Sequence, residues 1–233
     1  MHLNARKLAD FYESPMGQLA RRMIHRRLRQ MTPARHPANV LGYGFAVPYL
    51  RPMLAEAERV VALMPARQGV VAWPAGRPLC VMGDCQALPF ADETFDMVIM
   101  VHGLENADAA GPLMRQIWRV MAPEGRLLLV VPNRASLWAQ AERSPFANGR
   151  PYLRGQLDLL LRESMFAPQR WESALYFPPL KSHRLIGTGQ GWERMGQIFW
   201  PRMAGVHLVD STKSLFAGTP VLVHDQKSQL ARA

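Results

Sequence analysis

The chain has 233 residues, of which 48% are hydrophobic and 20% are charged, and its formal net charge is +10 at pH 7. This length and apolar content suffice for one sizeable core and exclude an intrinsically disordered chain. Two cysteines cannot build a disulfide framework or a four-ligand zinc site, so a small disulfide scaffold is excluded and no metal site is predicted.

The positive charge is concentrated at the two ends of the chain. Residues 1–51 carry nine Lys or Arg against two acidic residues, residues 52–149 carry eight against ten, and residues 150–233 carry eleven against six. Basic ends of this kind are typical of contact with an anionic partner or of a solvated face. Because no apolar run is long enough to span a membrane and the start lacks the apolar stretch of a secretory signal, we expect a cytoplasmic protein.

The first predicted element is a helix that begins at Ser14 and Pro15 and ends near Met31. Serine can cap the free amides of the first turn, and proline costs nothing at the first helical position. Apolar residues recur at three- and four-residue steps and share one stripe: Met16, Leu19, Met23, Ile24, Leu28 and Met31. Residues 1–37 are therefore predicted to form a basic helical extension, which could dock on its own domain, lie on a membrane surface or face RNA.

From residue 38 onward, short apolar runs alternate with helical segments. Strands are predicted at 39–43, 59–64, 79–82, 95–101, 126–131, 169–176 and 206–216, and helices at 49–57, 112–121, 155–166 and 191–203. Such alternation predicts an α/β three-layer sandwich around a mostly parallel, seven-stranded sheet. The domain would span residues 38–224, with insertions at 133–155 and 177–203 and a flexible tail at 225–233.

One crossover between strands is too short for the usual helix. Residues 65–78 contain three prolines and two glycines, so we expect a stunted helix or none. The following strand, Leu79, Cys80, Val81 and Met82, would then lie at an under-covered edge of the sheet. An open edge of this kind tends to be paired or protected by something else.

The residues that follow the strands are the candidates for a ligand site, because ligands of open parallel sheets bind beyond the carboxyl ends of the strands. Gly42-Tyr43-Gly44 follows the first strand, and Gly83-Asp84-Cys85 follows the third. His102, Glu105 and Asn106 follow the fourth. The glycines permit a tight turn and a close approach of the backbone to a ligand.

This ordered set resembles the class I S-adenosylmethionine-dependent methyltransferases, in particular the subgroup with a Gly-Asp-x-x-x-Leu-Pro-Phe segment. The resemblance covers residues 38 to about 133. It rests on Val40-Leu41-Gly42-Tyr43-Gly44, on Gly83-Asp84 through Phe90, on Phe95-Asp96-Met97-Val98-Ile99, and on Arg119 to Arg126 with the strand that follows. Residues 205–216 are similar to the terminal antiparallel strand of these enzymes.

The resemblance implies S-adenosylmethionine as cofactor and assigns roles to six residues. Gly42-Tyr43-Gly44 would form the loop that faces the methionine and the ribose. Asp84 would accept a hydrogen bond from the adenine amine, and the backbone of Cys85 would lie near the adenine ring. His102 would lie at the floor of the site as the candidate base. Asp84 as a turn cap and His102 as a hydrogen-bonded strand-end residue are the alternative interpretations.

Three positions depart from the family pattern. Val40 replaces an acidic residue, Ala46 replaces the third glycine, and the second strand ends in residues 62–64 without the carboxylate that takes the ribose hydroxyls. Two interpretations therefore stay open: methyl transfer to an unidentified acceptor, or a scaffold of the same fold whose cofactor site is weak or lost.

Two kinds of partner are predicted. Some methyltransferases of this fold pair an edge strand with a small zinc-binding activator protein, and Leu79 to Met82 is a suitable place for such pairing. RNA or another anionic partner could bind the basic N-terminal helix. The later helical insertion carries an aromatic stripe of Trp192, Met195, Ile198, Phe199 and Trp200, for which we expect a place in the core or in an interface.

Overall fold

The computed structural model describes residues 4–32, 37–141, 144–179 and 189–214. Seven strands form one sheet in the order β3-β2-β1-β4-β5-β7-β6. Their bounds are β1 Asn39–Gly44, β2 Arg59–Pro65, β3 Cys80–Gly83, β4 Phe95–Val101, β5 Met121–Pro132, β6 Phe166–Ala174 and β7 Val206–Lys213. Strands β1 to β5 pair in parallel, and β7 lies antiparallel between β5 and β6.

Helices cover both faces of this sheet. Their bounds are α1 Ala5–Glu13, α2 Pro15–Met31, α3 Val47–Leu50, α4 Met53–Glu56, α5 Ala110–Val120, α6 Arg154–Glu163 and α7 Gly189–Phe199. Two apolar clusters, one on each face, form the core. The predicted fold class, a three-layer α/β sandwich with a mostly parallel sheet and an antiparallel terminal strand, is confirmed.

The predicted N-terminal helix is present as α2, and its start has the expected cap. The Ser14 hydroxyl accepts a hydrogen bond from the Gly17 amide over 3.1 Å, and Pro15 opens the helix. An additional helix, α1, precedes it. Leu8 of α1 and Ile24 of α2 are fully buried in the same cluster as β1 and β2 residues. The helices of the extension therefore pack on the sheet and complete one of its two apolar layers.

The short crossover between β2 and β3 contains no helix, as predicted. Its extended backbone places Val71 and Trp73 against the apolar cluster that α1 and α2 also cover. Strand β3 is at the edge of the sheet, and its Met82 side chain is 56% exposed. This edge is consequently thinner than the rest of the sandwich.

Two predicted helices differ from the structure. The helix expected at 49–57 is divided into α3 and α4, because residues Arg51 and Pro52 lie between two separate turns and proline supplies no backbone donor. In α7 and the 3₁₀ turn that follows, Met195, Ile198, Phe199 and Trp200 are exposed, so they do not belong to the core. The side chain of Trp192 and the tail at 225–233 lie outside the described residues.

An ion pair connects β5, β7 and α2. The Arg126 guanidinium donates to both carboxylate oxygens of the buried Asp210, and it also donates to the Met31 carbonyl at the end of α2. A buried carboxylate without a cation would be costly, so this pairing stabilises the local geometry. No helix within the described ranges is long and apolar enough to cross a membrane.

Candidate functional site

A cavity of about 270 Å³ opens at the carboxyl ends of β1 to β4. Residues from four strand ends line it, as expected for a sheet whose strand order reverses between β1 and β4. Its lining includes Tyr43, Pro65, Ala66, Arg67, Gln68, Gly83, Asp84, Cys85, Gln86, Gly103, Asn106, Ala107 and Asp108. Three of the predicted cofactor residues, Tyr43, Asp84 and Cys85, are among them.

Asp84 presents a carboxylate at the rim of the cavity. Its Oδ1 accepts a hydrogen bond from the Gln86 amide over 2.9 Å, which fixes the side chain in a local turn. The turn interpretation and the binding interpretation are compatible, because a carboxylate can accept several hydrogen bonds and Asp84 accepts here from the Gln86 amide and the Cys85 thiol. The neighbouring Cys85 thiol is half-buried, and burial raises its pKa, with a further rise from the charge of Asp84. Cys85 is thus kept as a neutral thiol against the cavity.

The end of β2 contributes donors where the family pattern has a carboxylate. Arg67 forms a 2.7 Å ion pair with Asp108 across the cavity mouth, and both side chains are substantially exposed. Gln68 is buried and donates from Nε2 to the His102 carbonyl over 3.2 Å. Its Oε1 is buried and has no hydrogen-bond partner among the described residues. That unpartnered oxygen is an acceptor beside the cavity.

The two predicted loop glycines do not line this cavity, although Tyr43 between them does. Gly44 has a φ of +77°, and a Cβ there would lie 2.4 Å from the Val101 carbonyl oxygen. The next amide, of Phe45, donates to that same oxygen over 2.7 Å. Glycine at position 44 therefore permits the close approach of β1 to the end of β4.

His102 lies in a buried hydrogen-bonded chain. Its Nε2 is 2.9 Å from the Tyr12 hydroxyl of α1, and its Nδ1 is 3.2 Å from Glu105 Oε1. The Tyr49 hydroxyl donates to Tyr12 over 3.2 Å. With the neutral imidazole protonated on Nδ1, all three bonds run in one direction, from Tyr49 through Tyr12 to His102 and on to Glu105.

These hydrogen-bonded side chains cover the end of β4. His102 is only 1% exposed, and the Phe146 ring of the first insertion lies 5.0 Å from its own ring, centroid to centroid. Burial raises the pKa of Tyr12 well above its ordinary value, so its hydroxyl stays protonated. Glu105 orients the imidazole through Nδ1 and Tyr12 occupies Nε2, so His102 could accept a substrate proton at Nε2 only after Tyr12 moves away.

Sequence reasoning missed several residues of the site. Arg67 and Gln68 directly follow a strand, so the strand-end rule that selected Asp84 could have found them. Tyr12 and Tyr49 carried no such signal, because α1 reaches the end of β4 only through tertiary packing across 90 residues of chain.

The strand order, the antiparallel β7 and a cavity at the reversal point define a Rossmann-like α/β protein with a small-molecule site. Residues 41–129 match the family model described as a methyltransferase domain. Over 129 residues, 52% of this chain, the sequence is 35% identical to malonyl-[acyl-carrier protein] O-methyltransferase of Halorhodospira halophila, of which it covers 43%. Over 63 residues it is 36% identical to a ubiquinone/menaquinone biosynthesis C-methyltransferase of Cereibacter sphaeroides, with 25% of each chain covered.

Solved structures share the fold. A SAM-dependent methyltransferase from Aquifex aeolicus superposes with a TM-score of 0.61 at 15% identity, covering 91% of this chain and 99% of its own. A Haloferax volcanii methyltransferase in complex with the Trm112 activator gives a TM-score of 0.61 at 15% identity, covering 89% and 97%. The matched part spans less than half the length of the curated relatives. The family-model match over residues 41–129 and the identity to curated methyltransferases support a relation to the class I S-adenosylmethionine-dependent methyltransferases.

The cofactor of this family is S-adenosylmethionine. The residues present fit its adenosine part in one respect: the Asp84 carboxylate at the cavity accepts from the Gln86 amide and the Cys85 thiol, and a carboxylate has lone pairs left for an exocyclic amine. The buried Gln68 Oε1, which has no hydrogen-bond partner among the described residues, suits a hydroxyl donor.

Proposed function

We propose that this protein transfers the methyl group of S-adenosylmethionine to an acceptor that the sequence does not identify. The observation that carries the proposal is the cavity at the ends of β1 to β4, which contains Tyr43, Asp84 and Cys85. When bound, the cofactor supplies an electrophilic methyl group. The protein then has to hold the two reactants in line and exclude water.

Asp84 and Cys85 would hold the adenine, with Asp84 Oδ2 as the acceptor for the exocyclic amine. Gly42 and Gly44 would act indirectly, since they shape the β1 loop and let it approach β4. Arg67 and Gln68 would face the ribose in place of the missing carboxylate. Because Arg67 is exposed and already paired with Asp108, its contribution to affinity would be small.

His102 stays the candidate base, oriented by Glu105 through Nδ1. Its Nε2 becomes available when Tyr12 withdraws, which requires α1 to shift from the end of β4. The proposal therefore predicts that α1 covers the acceptor side and opens for the acceptor. A His102→Ala protein that retains full methyl transfer would remove this residue from the role of base.

Isothermal titration of S-adenosylmethionine tests the proposal. We expect binding by the full chain and a loss of about 10- to 100-fold in affinity for Asp84→Ala, because hydrogen bonds to charged groups are worth about 1.5–3 kcal/mol. Asp158→Ala is the matched control, since Asp158 lies on α6 and pairs only with Arg162 within its helix. Equal affinities of the two variants would refute the assigned role of Asp84. Absence of binding by the parent chain would favour the scaffold interpretation.

A second candidate concerns the edge strand β3. The carbonyls of Leu79 and Gly83 accept from the Ala62 and Ala66 amides of the β2 side. By strand alternation, the backbone groups of Cys80 and Met82 point to the open side of the edge. Together with the helix-free crossover, this leaves a short template for strand addition by a small zinc-binding activator. The structural neighbour from Haloferax volcanii was solved in complex with the Trm112 methyltransferase activator, and we extend an association with an activator to this chain as a proposal.

Co-expression with a candidate activator tests this association. Met82→Pro removes one outward backbone donor and should abolish co-purification, whereas Met82→Val keeps the donor and should retain it. Co-purification that survives Met82→Pro would show that the partner binds elsewhere.

A further inference from the structure

Helix α7 has its polar and apolar faces reversed relative to a helix that packs on a core. Its inner face carries Glu193 and Gly196. The Glu193 carboxylate accepts from the Leu175 and Tyr176 amides over 3.0 and 2.8 Å. A Cβ at Gly196 would lie 2.3 Å from Tyr176 Cβ, so the helix backbone sits directly on that residue.

The apolar side chains that the structure describes in α7 and in the turn after it face outward. Ile198 is 73% exposed and Phe199 is 62% exposed, and three further residues of the same segment are at least two-fifths exposed: Met195, Trp200 and Met203. We call these five residues the α7 patch. Single exposed apolar residues are ordinary on a protein surface, but a group of five in one segment marks an interaction site.

Positive charge surrounds the α7 patch. Arg27 of α2 and Gln197 of α7 line one groove, so α2 lies beside α7. Burial raises the pKa of Glu193, and the amides of Tyr176 and Leu175 and the charges of Arg27 and Arg26 oppose that rise. This groove of about 350 Å³ adjoins the patch and is lined by Arg27, Arg154, Gln197 and Pro201 among others. The exposed Arg154 guanidinium lies 4.9 Å from the centroid of the Trp171 ring.

The acidic residues near this groove are largely neutralised. Glu172 lines the groove, but it accepts from Arg170 and lies 3.7 Å from Arg27. Glu193 is buried under α7. His207 also lines the groove and is neutral at pH 7, because burial and Arg154 lower its pKa to about 4. Arg202 adds an exposed cation within the 3₁₀ turn after α7.

We infer that the α7 patch and the arginines beside it form a docking surface for an anionic lipid bilayer. Apolar side chains with an aromatic belt insert at the level of the headgroups, and neighbouring arginines contact lipid phosphates. A protein partner of ordinary polarity would not need the excess of arginine, and RNA would not need exposed Ile198 and Met195. The net charge of +10 favours the same occupant at longer range. This inference does not depend on the proposed methyl transfer.

Vesicle flotation with the full chain tests the inference. Phosphatidylcholine vesicles containing about one quarter phosphatidylglycerol should bind the protein, and pure phosphatidylcholine vesicles should bind it far more weakly. Ile198→Ser with Phe199→Ser should reduce binding at least about tenfold, because two large side chains lose their burial in the bilayer. Arg26→Gln should reduce it about fivefold on the anionic vesicles only.

Val70→Ser is the matched control. Val70 is 49% exposed and lies in the crossover next to β3, at the sheet edge opposite to β6, so its change should leave binding as in the parent. The fluorescence of Trp200 should shift to the blue on binding. Equal binding by the double variant, equal binding to neutral and anionic vesicles, or a dimer that the double variant abolishes would overturn the inference. Binding of a single-stranded RNA that competes fully with the vesicles would overturn it as well.

Discussion

Replacement of Tyr12 by phenylalanine tests the buried hydrogen bonds that connect Tyr49, Tyr12 and His102. The substitution keeps the ring, which lies 5.8 Å from the Phe45 ring and nearly parallel to it, and removes only the hydroxyl. That hydroxyl bonds to Tyr49 over 3.2 Å and to His102 over 2.9 Å. Both partners are buried, so the Tyr49 hydroxyl would lose its acceptor and His102 Nε2 would lose its donor in a place that water does not reach.

The unfolding free energy should fall by about 2 kcal/mol, because one unsatisfied buried polar group costs about 1–3 kcal/mol and the remaining side chains of the hydrogen-bonded group can rearrange. For a chain of this length that corresponds to a fall in Tm of about 4–8 °C. Urea unfolding and thermal unfolding both measure the change. An unaltered m-value would show that the native state, and not the unfolded chain, is affected.

Tyr152→Phe is the matched control for this prediction. Tyr152 is half-buried against the apolar cluster on the other face of the sheet, and its hydroxyl has no hydrogen-bond partner in the described part of the chain. We expect its loss to change stability by less than about 0.5 kcal/mol. Equal small effects for Tyr12→Phe and Tyr152→Phe would refute the hydrogen-bonded chain, and with it the placement of α1 over the end of β4.

Two further predictions concern stability. Gly44→Ala should lower the unfolding free energy by at least about 3 kcal/mol in denaturant titration, because the new Cβ would meet the Val101 carbonyl. Gly69→Ala has a similar positive φ but open space around it, and should cost about 1–2 kcal/mol. Equal costs would contradict the close approach of β1 and β4. The folded protein lowers the pKa of His207 from 6.5 to about 4, so the unfolded chain binds more protons between these values. The unfolding free energy should therefore fall by up to about 3 kcal/mol as the pH drops from 6.5 to 4. His207→Asn should flatten this part of the curve of unfolding free energy against pH. Parallel curves for the variant and the parent protein would contradict the burial of His207.

The sequence predicts the sheet well, because apolar runs bounded by turn residues are a local signal. Strand β4 has the predicted bounds, and the absence of a helix between β2 and β3 follows from its prolines. Strand β5 begins at Met121, five residues before its predicted start, since the end of α5 runs directly into the sheet. The length of this strand depends on pairing with β4 and β7, which the local pattern does not contain.

The site is predictable only where it follows a strand. Asp84 and Cys85 come directly after β3, and the structure places both at the cavity. The glycines of the β1 loop mark the correct loop, but their contacts are with backbone and core atoms. The burial of His102 could not be predicted, because it depends on Tyr12 of α1, whose short apolar pattern gives no indication of where the helix packs.

A crystal structure of the full chain grown with S-adenosylhomocysteine tests whether the cavity binds the cofactor. We expect density for the adenosine part in the cavity at the ends of β1 to β4, with the adenine amine at Asp84 and the ribose facing Arg67 and Gln68. Density at another place, or an empty cavity at saturating ligand, would contradict it.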